Sequence, residues 1–426
     1  MLYEELKERG LIYQETSEEV KELLNTPGAS FYCGADPTSD SLHIGSLLPL
    51  ITMKRLQEFG HKPIMLLGGA TGMIGDPSGK SKERNLLNEE TINNNIEGIH
   101  GDARKVLRFE GANAAIIVNN LDWMGPFSYI GFLRDVGKHF SVNAMLLKDS
   151  VKSRISDRDQ GISYTEFSYM LLQSFDFYHL YKEMNCRLQI GGSDQWGNIT
   201  AGVDLIRRMQ GDTQDKESVF AFTFPLVTKS DGSKFGKTES GNVWLDPEKT
   251  SPYQFYQFFV RLPDDEVMKL IYFFSMKPLS EIKELEARFK VEPHKREAQK
   301  ALAEELTLLI HGQEELTKAQ KATEALFSGD FQSLDQKTLL DVFSEAPSIE
   351  ISADKKSEMD LIETLVESKL CSSKGAARKD IKAGAIYLNN EKFTGENLSA
   401  NEFPLLHDSL LILRRGKKSY CLVKFS

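Results

Sequence analysis

Residues 30–72 read SFYCGADPTSDSLHIGSLLPLITMKRLQEFGHKPIMLLGGATG. Ser30-Phe31-Tyr32-Cys33-Gly34 is a short apolar run that ends in glycine, the pattern of a buried strand. A polar turn follows, and then apolar spacing predicts a helix over about 45–59. Pro49 falls within its first turn, where a missing N–H costs little. Residues 62–67 form a second apolar run, which stops at Gly68-Gly69-Ala70-Thr71-Gly72. Working outward, 114–118 and 187–190 are further strands, and helices are expected over 128–138, 166–180 and 195–209. Strands that alternate with helices predict an α/β fold with a parallel, doubly wound sheet. Ligands of such sheets sit at the carboxyl ends of the strands. Here those ends are Cys33-Gly34-Ala35-Asp36, Gly68 to Gly72, and Gly191-Gly192-Ser193-Asp194-Gln195.

The rest of the chain differs in character. Residues 250–326 are charged and helical in pattern, and 328–357 are polar and mixed, as a connector would be. A small unit follows, with helical segments at 361–368 and 374–383 and strands at 385–388, 410–414 and 419–424. A chain of 426 residues has room for two or three domains. Its net charge of −10 excludes a general polyanion binder, but residues 369–426 hold eleven Lys or Arg against five Asp or Glu. A basic end on an acidic body points to a local nucleic-acid contact. The four cysteines, Cys33, Cys186, Cys371 and Cys421, contain no Cys-x-x-Cys pair, so neither a zinc site nor a disulfide framework is expected. No run approaches the roughly 20 apolar residues of a membrane span, and the N-terminus lacks the apolar stretch of a secretory signal. The expectation is a cytoplasmic protein.

Three motifs bear on chemistry. His43-Ile44-Gly45-Ser46 stands at a helix start, where a histidine alone is as readily a structural residue. About 190 residues later, Lys234-Phe235-Gly236-Lys237-Thr238 lies in a long polar loop, where two lysines alone are a solvated pair. Tyr169, Gln173 and Asp176 lie at i, i+4 and i+7 on one helix face. The rest of that helix, including Met170, Leu171, Leu172, Phe175 and Phe177, favours burial, so the polar face needs partners. Gly75-Asp76-Pro77-Ser78-Gly79-Lys80-Ser81 is one residue short of a phosphate-binding P-loop, which excludes a Walker NTPase.

In this order, the first two strings resemble the ATP-handling signatures of class I aminoacyl-tRNA synthetases. Residues 164–176 and the twelve residues 188–199 narrow the resemblance to the bacterial tyrosyl-tRNA synthetases, over nearly the whole chain. The resemblance implies a Rossmann-like catalytic domain over 1–245, a helical domain over 246–328, a connector over 329–357, and a small α+β RNA-binding domain over 358–426. That last domain resembles the one shared with ribosomal small-subunit protein four. The implied reaction joins L-tyrosine to tRNA(Tyr) through tyrosyl-adenylate, with ATP and its Mg²⁺ as co-substrate and no protein metal site.

The resemblance also implies roles. Thr38, His43, Lys234, Lys237 and Thr238 would meet the phosphates, with Lys80 and Arg84 on a second loop. Gly34, Asp36, Gly45, Ser46, Gly192 and Asp194 would complete the nucleotide site, with Gly45 and Gly192 leaving room for it. Ser46 stands where the family signature has a second histidine. Tyr32 and Asp176 would bind the phenolic hydroxyl, Asp76, Tyr169 and Gln173 the ammonium, and Gln195 the carboxylate. Lys374, Arg378, Lys379 and Lys382 on a helix, with Arg414, Arg415, Lys417 and Lys418 near a turn, would contact tRNA. A homodimer is implied, with 123–147 as its interface. Tryptophanyl synthetases share both signatures, and a non-catalytic RNA-binding relative shares the basic end.

Overall fold

The computed structural model describes residues 1–78, 87–156, 161–211, 218–228, 232, 235–238, 241–353, 359–393, 405–416 and 419–426. Lys80, Arg84, Lys234, Lys417 and Lys418 lie outside the described residues, as do the side chains of Lys237 and Thr238. The chain forms two compact units, Met1–Lys249 with Val260–Ile310, and Thr250–Phe259 with His311–Ser426.

The first unit is built on a six-stranded sheet. Its strands are β1 (Gln14–Glu15), β2 (Ser30–Ala35), β3 (Lys62–Leu67), β4 (Ile116–Asn119), β5 (Cys186–Gly192) and β6 (Phe220–Phe224), in the order β1-β6-β5-β2-β3-β4. All neighbours are parallel except the short edge strand β1, which runs antiparallel to β6. The chain winds from β2 through β3 to β4 on one side and from β5 to β6 on the other. The order reverses between β2 and β5, and there a crevice opens beyond the strand ends. An apolar run at 224–227 continues the pattern of β6, but the strand stops at Phe224, because Pro225 has no N–H for the ladder.

Four helices of this unit place the site. They are α1 (Leu47–Phe59), α2 (Glu89–Val106), α3 (Tyr164–Met184) and α4 (Trp196–Gln210). Helix α3 begins at Ser163, whose hydroxyl accepts from Glu166 N at 3.2 Å, and ends at Asn185, which takes the left-handed conformation. Its first turn is anchored by a buried fork, Arg154 Nη1 and Nη2 on Glu166 at 3.0 and 2.8 Å. Phe177 and Leu180 of α3 pack with Ile199, Val203 and Ile206 of α4 and with Tyr32, Ile64 and Leu66 of the sheet. The helix expected over 128–138 breaks into Tyr129–Asp135 and a 3-10 turn Gly137–His139, with glycine at the break.

The second unit holds a five-stranded sheet of β9 (Ser348–Ile351), β10 (Ile386–Leu388), β11 (Glu391–Lys392), β12 (Leu410–Arg415) and β13 (Ser419–Phe425), in the order β11-β10-β12-β13-β9. A two-residue hairpin, β7 (Lys237–Thr238) and β8 (Gly241–Asn242), belongs to the first unit. Helices α5 (Leu361–Glu367) and α6 (Lys374–Lys382) bury Leu361, Leu365, Ala377 and Ile381 in one core with Leu411, Leu413 and Val423. Residues 329–357 are not a plain connector. They contain the helix Gln336–Val342 and strand β9, which pairs parallel with β13. Phe331, Leu334, Leu339 and Phe343 are buried with Ile412 and Leu422, so widely spaced apolar residues in a polar stretch build a second core. The expected helical domain is likewise shared between the two units. Among the described residues no helix is long and apolar enough to cross a membrane.

Candidate active site

A cavity of about 560 Å³ opens at the β2–β5 switch point. Of the residues that the sequence reading assigned to the amino acid or the nucleotide, it is lined by Tyr32, Gly34, Asp36, Thr38, His43, Gly45, Ser46, Asp76, Tyr169, Gln173, Asp176, Gly192, Asp194 and Gln195. A second cavity of about 360 Å³ shares Gly34, Asp36, Thr38, His43 and Ser46 and adds Trp244 and Asn242. The carboxyl ends of β2 and β5 supply consecutive residues, and α3 delivers Tyr169, Gln173 and Asp176 from one face.

The deep end is defined by Tyr32 and Asp176, both about 1% exposed. Among the described residues the Tyr32 hydroxyl has no hydrogen-bond partner. A buried, orphaned hydroxyl is costly, and a ligand hydroxyl is one remedy. Asp176 is held by Asn120 Nδ2 at 3.0 Å and Trp123 Nε1 at 2.8 Å. Burial pushes its carboxyl up to about 7, against the pull of those two donors. Burial, and then the Asp176 charge, raises the Tyr32 phenol well above its ordinary range, so Tyr32 is neutral. Asn120 and Trp123 were not foreseen as partners of Asp176, because both lie just beyond β4, far from Asp176 in the chain.

Nearer the mouth a polar network begins. Tyr169 Oη donates to Asp36 Oδ2 at 2.8 Å, and Thr71 Oγ1 to Asp36 Oδ1 at 2.8 Å. Asp36, expected beside the nucleotide, is thus joined to the amino-acid residue Tyr169. Gln195 Nε2 donates to Asp76 Oδ2 at 2.6 Å, and Ser78 N to Asp76 Oδ1 at 2.9 Å. Asn198 Nδ2, unforeseen in the sequence, donates to Gln173 Oε1 at 3.0 Å. Gln195 is therefore fixed by a carboxylate, and Gln173 by an amide.

At the nucleotide side, His43 accepts from Gly45 N through Nδ1 at 3.0 Å and caps the turn into α1. The need for glycine at 45 is local. A Cβ there would lie 2.6 Å from His43 Cε1, so the histidine ring by itself crowds a side chain. Gly192 is similar, since a Cβ would lie 2.6 Å from Asp194 Oδ1. Gly236 has φ +88° and presses on the same turn, where a Cβ would lie 2.7 Å from Ile44 Cγ1. The backbone of the Phe235-Gly236 pair is thereby seated against His43-Ile44-Gly45. Among the described residues no group of three or more His, Cys, Asp or Glu could hold a metal ion.

Comparison with known proteins agrees with this geometry. Residues 25–328 match the family tRNA synthetases class I (W and Y), and 338–423 match the tyrosine–tRNA ligase SYY-like C-terminal domain. The tyrosine–tRNA ligase of Staphylococcus haemolyticus is 52% identical over 425 residues, covering 100% of this chain and 99% of that protein. This chain belongs to the tyrosine–tRNA ligases, within the class I aminoacyl-tRNA synthetases. Among solved structures, a C-terminally truncated mitochondrial tyrosyl-tRNA synthetase of Aspergillus nidulans matches with TM-score 0.68 and 31% identity, over 76% of this chain and 94% of that one. The tyrosyl-tRNA synthetase of Archaeoglobus fulgidus complexed with L-tyrosine shares the fold, with TM-score 0.54 and 17% identity, over 75% of this chain and 99% of that one. A match to the tyrosine-specific C-terminal domain and the full-length identity weigh against a tryptophan-specific reading.

The residues expected to contact RNA lie in different settings. Arg378, Lys379 and Lys382 are exposed on α6. Lys374 is paired with Glu363, and Arg415 with Asp380 Oδ2 at 2.8 Å and Leu370 O at 2.9 Å. The Arg414 guanidinium stacks over Tyr387, 4.0 Å from the ring centroid, and this aromatic was not foreseen.

Proposed function

We propose that the cavity at the β2–β5 switch point activates L-tyrosine with ATP and that the second unit presents the tRNA. The observation that carries this reading is the partnerless Tyr32 hydroxyl beside Asp176 at the closed end of the cavity. A phenolic hydroxyl donates to the Asp176 carboxylate and accepts from Tyr32. The Tyr169 oxygen gives its proton to Asp36 and keeps its lone pairs for an ammonium. Asp76 supplies the opposing charge. Gln195 is held through its Nε2 on Asp76, which leaves an N–H for the substrate carboxylate.

The carboxylate oxygen attacks the α-phosphorus, pyrophosphate leaves, and tyrosyl-adenylate remains. No side chain acts as nucleophile, so the gain comes from positioning and from stabilising charge on the phosphates. Thr38 and His43 are the described donors placed for this. Lys234, Lys237, Lys80 and Arg84 are assigned to the same task from sequence. Mg²⁺ enters as part of the ATP complex. The terminal adenosine of tRNA(Tyr) then takes the tyrosyl group, with Arg378, Lys379, Lys382 and the Arg414–Tyr387 pair contacting the nucleic acid. A homodimer is supported by exposed apolar residues within 123–147, where Tyr129, Ile130, Val142 and Leu147 are 63, 71, 58 and 73% exposed. The setting is cytoplasmic.

Pyrophosphate–ATP exchange with each amino acid tests the assignment. Tyrosine drives exchange and phenylalanine drives almost none, since phenylalanine leaves the buried Tyr32 hydroxyl unpaired and gives Asp176 no third donor. Tyr32→Phe weakens tyrosine binding by about 0.5–1.5 kcal/mol and leaves thermal stability unchanged or slightly higher, because the lost hydroxyl had no partner. Equal exchange with phenylalanine or tryptophan overturns the reading.

A further inference from the structure

One face of α2 is devoted to the backbone that carries His43. Residues 95, 98, 102 and 105 are spaced by three, four and three, so they share that face. Asn95 Nδ2 donates to Pro37 O at 2.8 Å. Gly98 lets the helix lie flush on the loop, since a Cβ there would sit 1.7 Å from Asp40 O. Asp102, 3% exposed, accepts through Oδ2 from Ser41 Oγ and from Leu42 N, both at 2.8 Å. Lys105 Nζ donates to Asp102 Oδ1 and to Leu245 O, both at 2.8 Å.

Leu245 N in turn donates to Leu42 O at 2.8 Å. The result is a closed ring of four hydrogen bonds: Leu42 N–H to Asp102, Lys105 to Asp102, Lys105 to Leu245 C=O, and Leu245 N–H to Leu42 C=O. Two further backbone bonds extend from it into the site. Ile44 N donates to Val243 O at 2.9 Å, and Val243 N to Gly236 O at 2.9 Å. His43 and Trp244 form the bridge between them. The ring thus sets the register between the turn that bears Thr38 and His43 and the segment that returns from Lys237.

We propose that Asp102 and Lys105 are positioning residues for the ATP-dependent step, acting through the backbone they clamp and not by contact with substrate. The proposal rests on the reading of Thr38, His43 and the 234–238 loop as the phosphate-handling groups. A misplacement of catalytic donors by about 1 Å costs up to about 100-fold in rate. Among the described residues, the groups assigned to tyrosine come from β2, from α3 and from the turns at Asp76 and Gln195, and none of them is a member of the ring. A positioning role therefore separates the two substrates, whereas a general structural role does not.

The test uses the full-length protein with Asp102→Asn, Lys105→Met, the double variant, Lys105→Arg and, as a control on the site itself, His43→Ala. Single-turnover adenylate formation, the apparent KM for ATP, tyrosine affinity and the thermal midpoint are measured for each. Lys105 is 28% exposed at its side chain, so Lys105→Met keeps the stem packed and should fold even if Asp102→Asn does not. The expected result is a fall of about tenfold or more in kcat/KM for ATP, with tyrosine affinity within about twofold. The double variant falls no further than the worse single one, because one break opens the ring. Lys105→Arg, which can reach both acceptors, recovers most of the loss. An ATP step within about twofold of wild type in Lys105→Met overturns the proposal, as does a tyrosine affinity that drops in parallel. An unaffected ATP step in His43→Ala refutes the site reading instead, whatever the ring variants do.

Discussion

At the scale of single residues, the active end of the cavity is governed by a carboxyl group that titrates near neutrality. Asp176 is pushed up to about 7 by burial, although Asn120 and Trp123 donate to it. A phenol that donates a proton prefers the ionised form, so tyrosine binding should tighten as pH rises through about 7 and then level off. Titration calorimetry between pH 6 and 8 checks this, and Asp176→Asn should remove the dependence. For folding the sign is opposite. A carboxyl raised above its ordinary value favours the native state at low pH, and that contribution is lost as pH rises through about 7. The shared face of Tyr169, Gln173 and Asp176 was legible from their spacing, and Tyr32 entered through the family resemblance. Asn120, Trp123 and Asn198 were not, since nothing in an isolated asparagine or tryptophan announces which carboxylate or amide it will meet.

At the scale of elements, glycines decide which surfaces can touch. Gly98 is the sharpest case, because α2 lies against the backbone of Asp40 with no space for a methyl group. Gly98→Ala must push the helix and the 37–42 loop apart. Overpacking of this kind costs about 1–3 kcal/mol. The expected outcome is a lower thermal midpoint together with a higher KM for ATP, measured by melting and by exchange kinetics. A Gly101→Ala control, where a Cβ meets nothing within 4 Å, should not lower stability. Strand β1 was not expected, whereas β2, β3 and β5 were readable as apolar runs closed by glycine and β4 as an apolar run without one. The register that brings β2 and β5 side by side was not, because pairing between segments about 150 residues apart depends on how the intervening helices pack.

At the scale of the whole molecule, the proposed reading assigns activation to the first unit and the nucleic-acid contact to the second. All described groups assigned to tyrosine and ATP lie in the first unit, and the basic surplus lies in the second. A chain ending after Asp330 should still form tyrosyl-adenylate and should lose most tRNA charging. It should also be less stable than a simple linker cut would leave it. Tyr253, Ala322 and Ala325 share a core with Phe331, Leu339, Leu410, Ile412 and Leu422, and truncation exposes them. Exchange, charging and melting measured on the same protein distinguish these effects. Normal charging would remove the RNA-binding role, and loss of exchange would place an activation element beyond residue 330.

The sequence by itself determined the fold class, the order of the signatures and most groups that line the cavity. The fold class depends on local periodicity, and the site groups were named through the family resemblance that the motifs carry. Tertiary structure alone decided the division into two units, the conversion of 329–357 from an expected connector into part of a core, and the pairing of Lys374 and Arg415 within their own unit. It also showed that a side chain at Gly45 would meet the His43 ring. The physical reason is common to all of them. Burial, charge pairing and close backbone approach depend on which distant segments meet, and sequence spacing does not encode that distance.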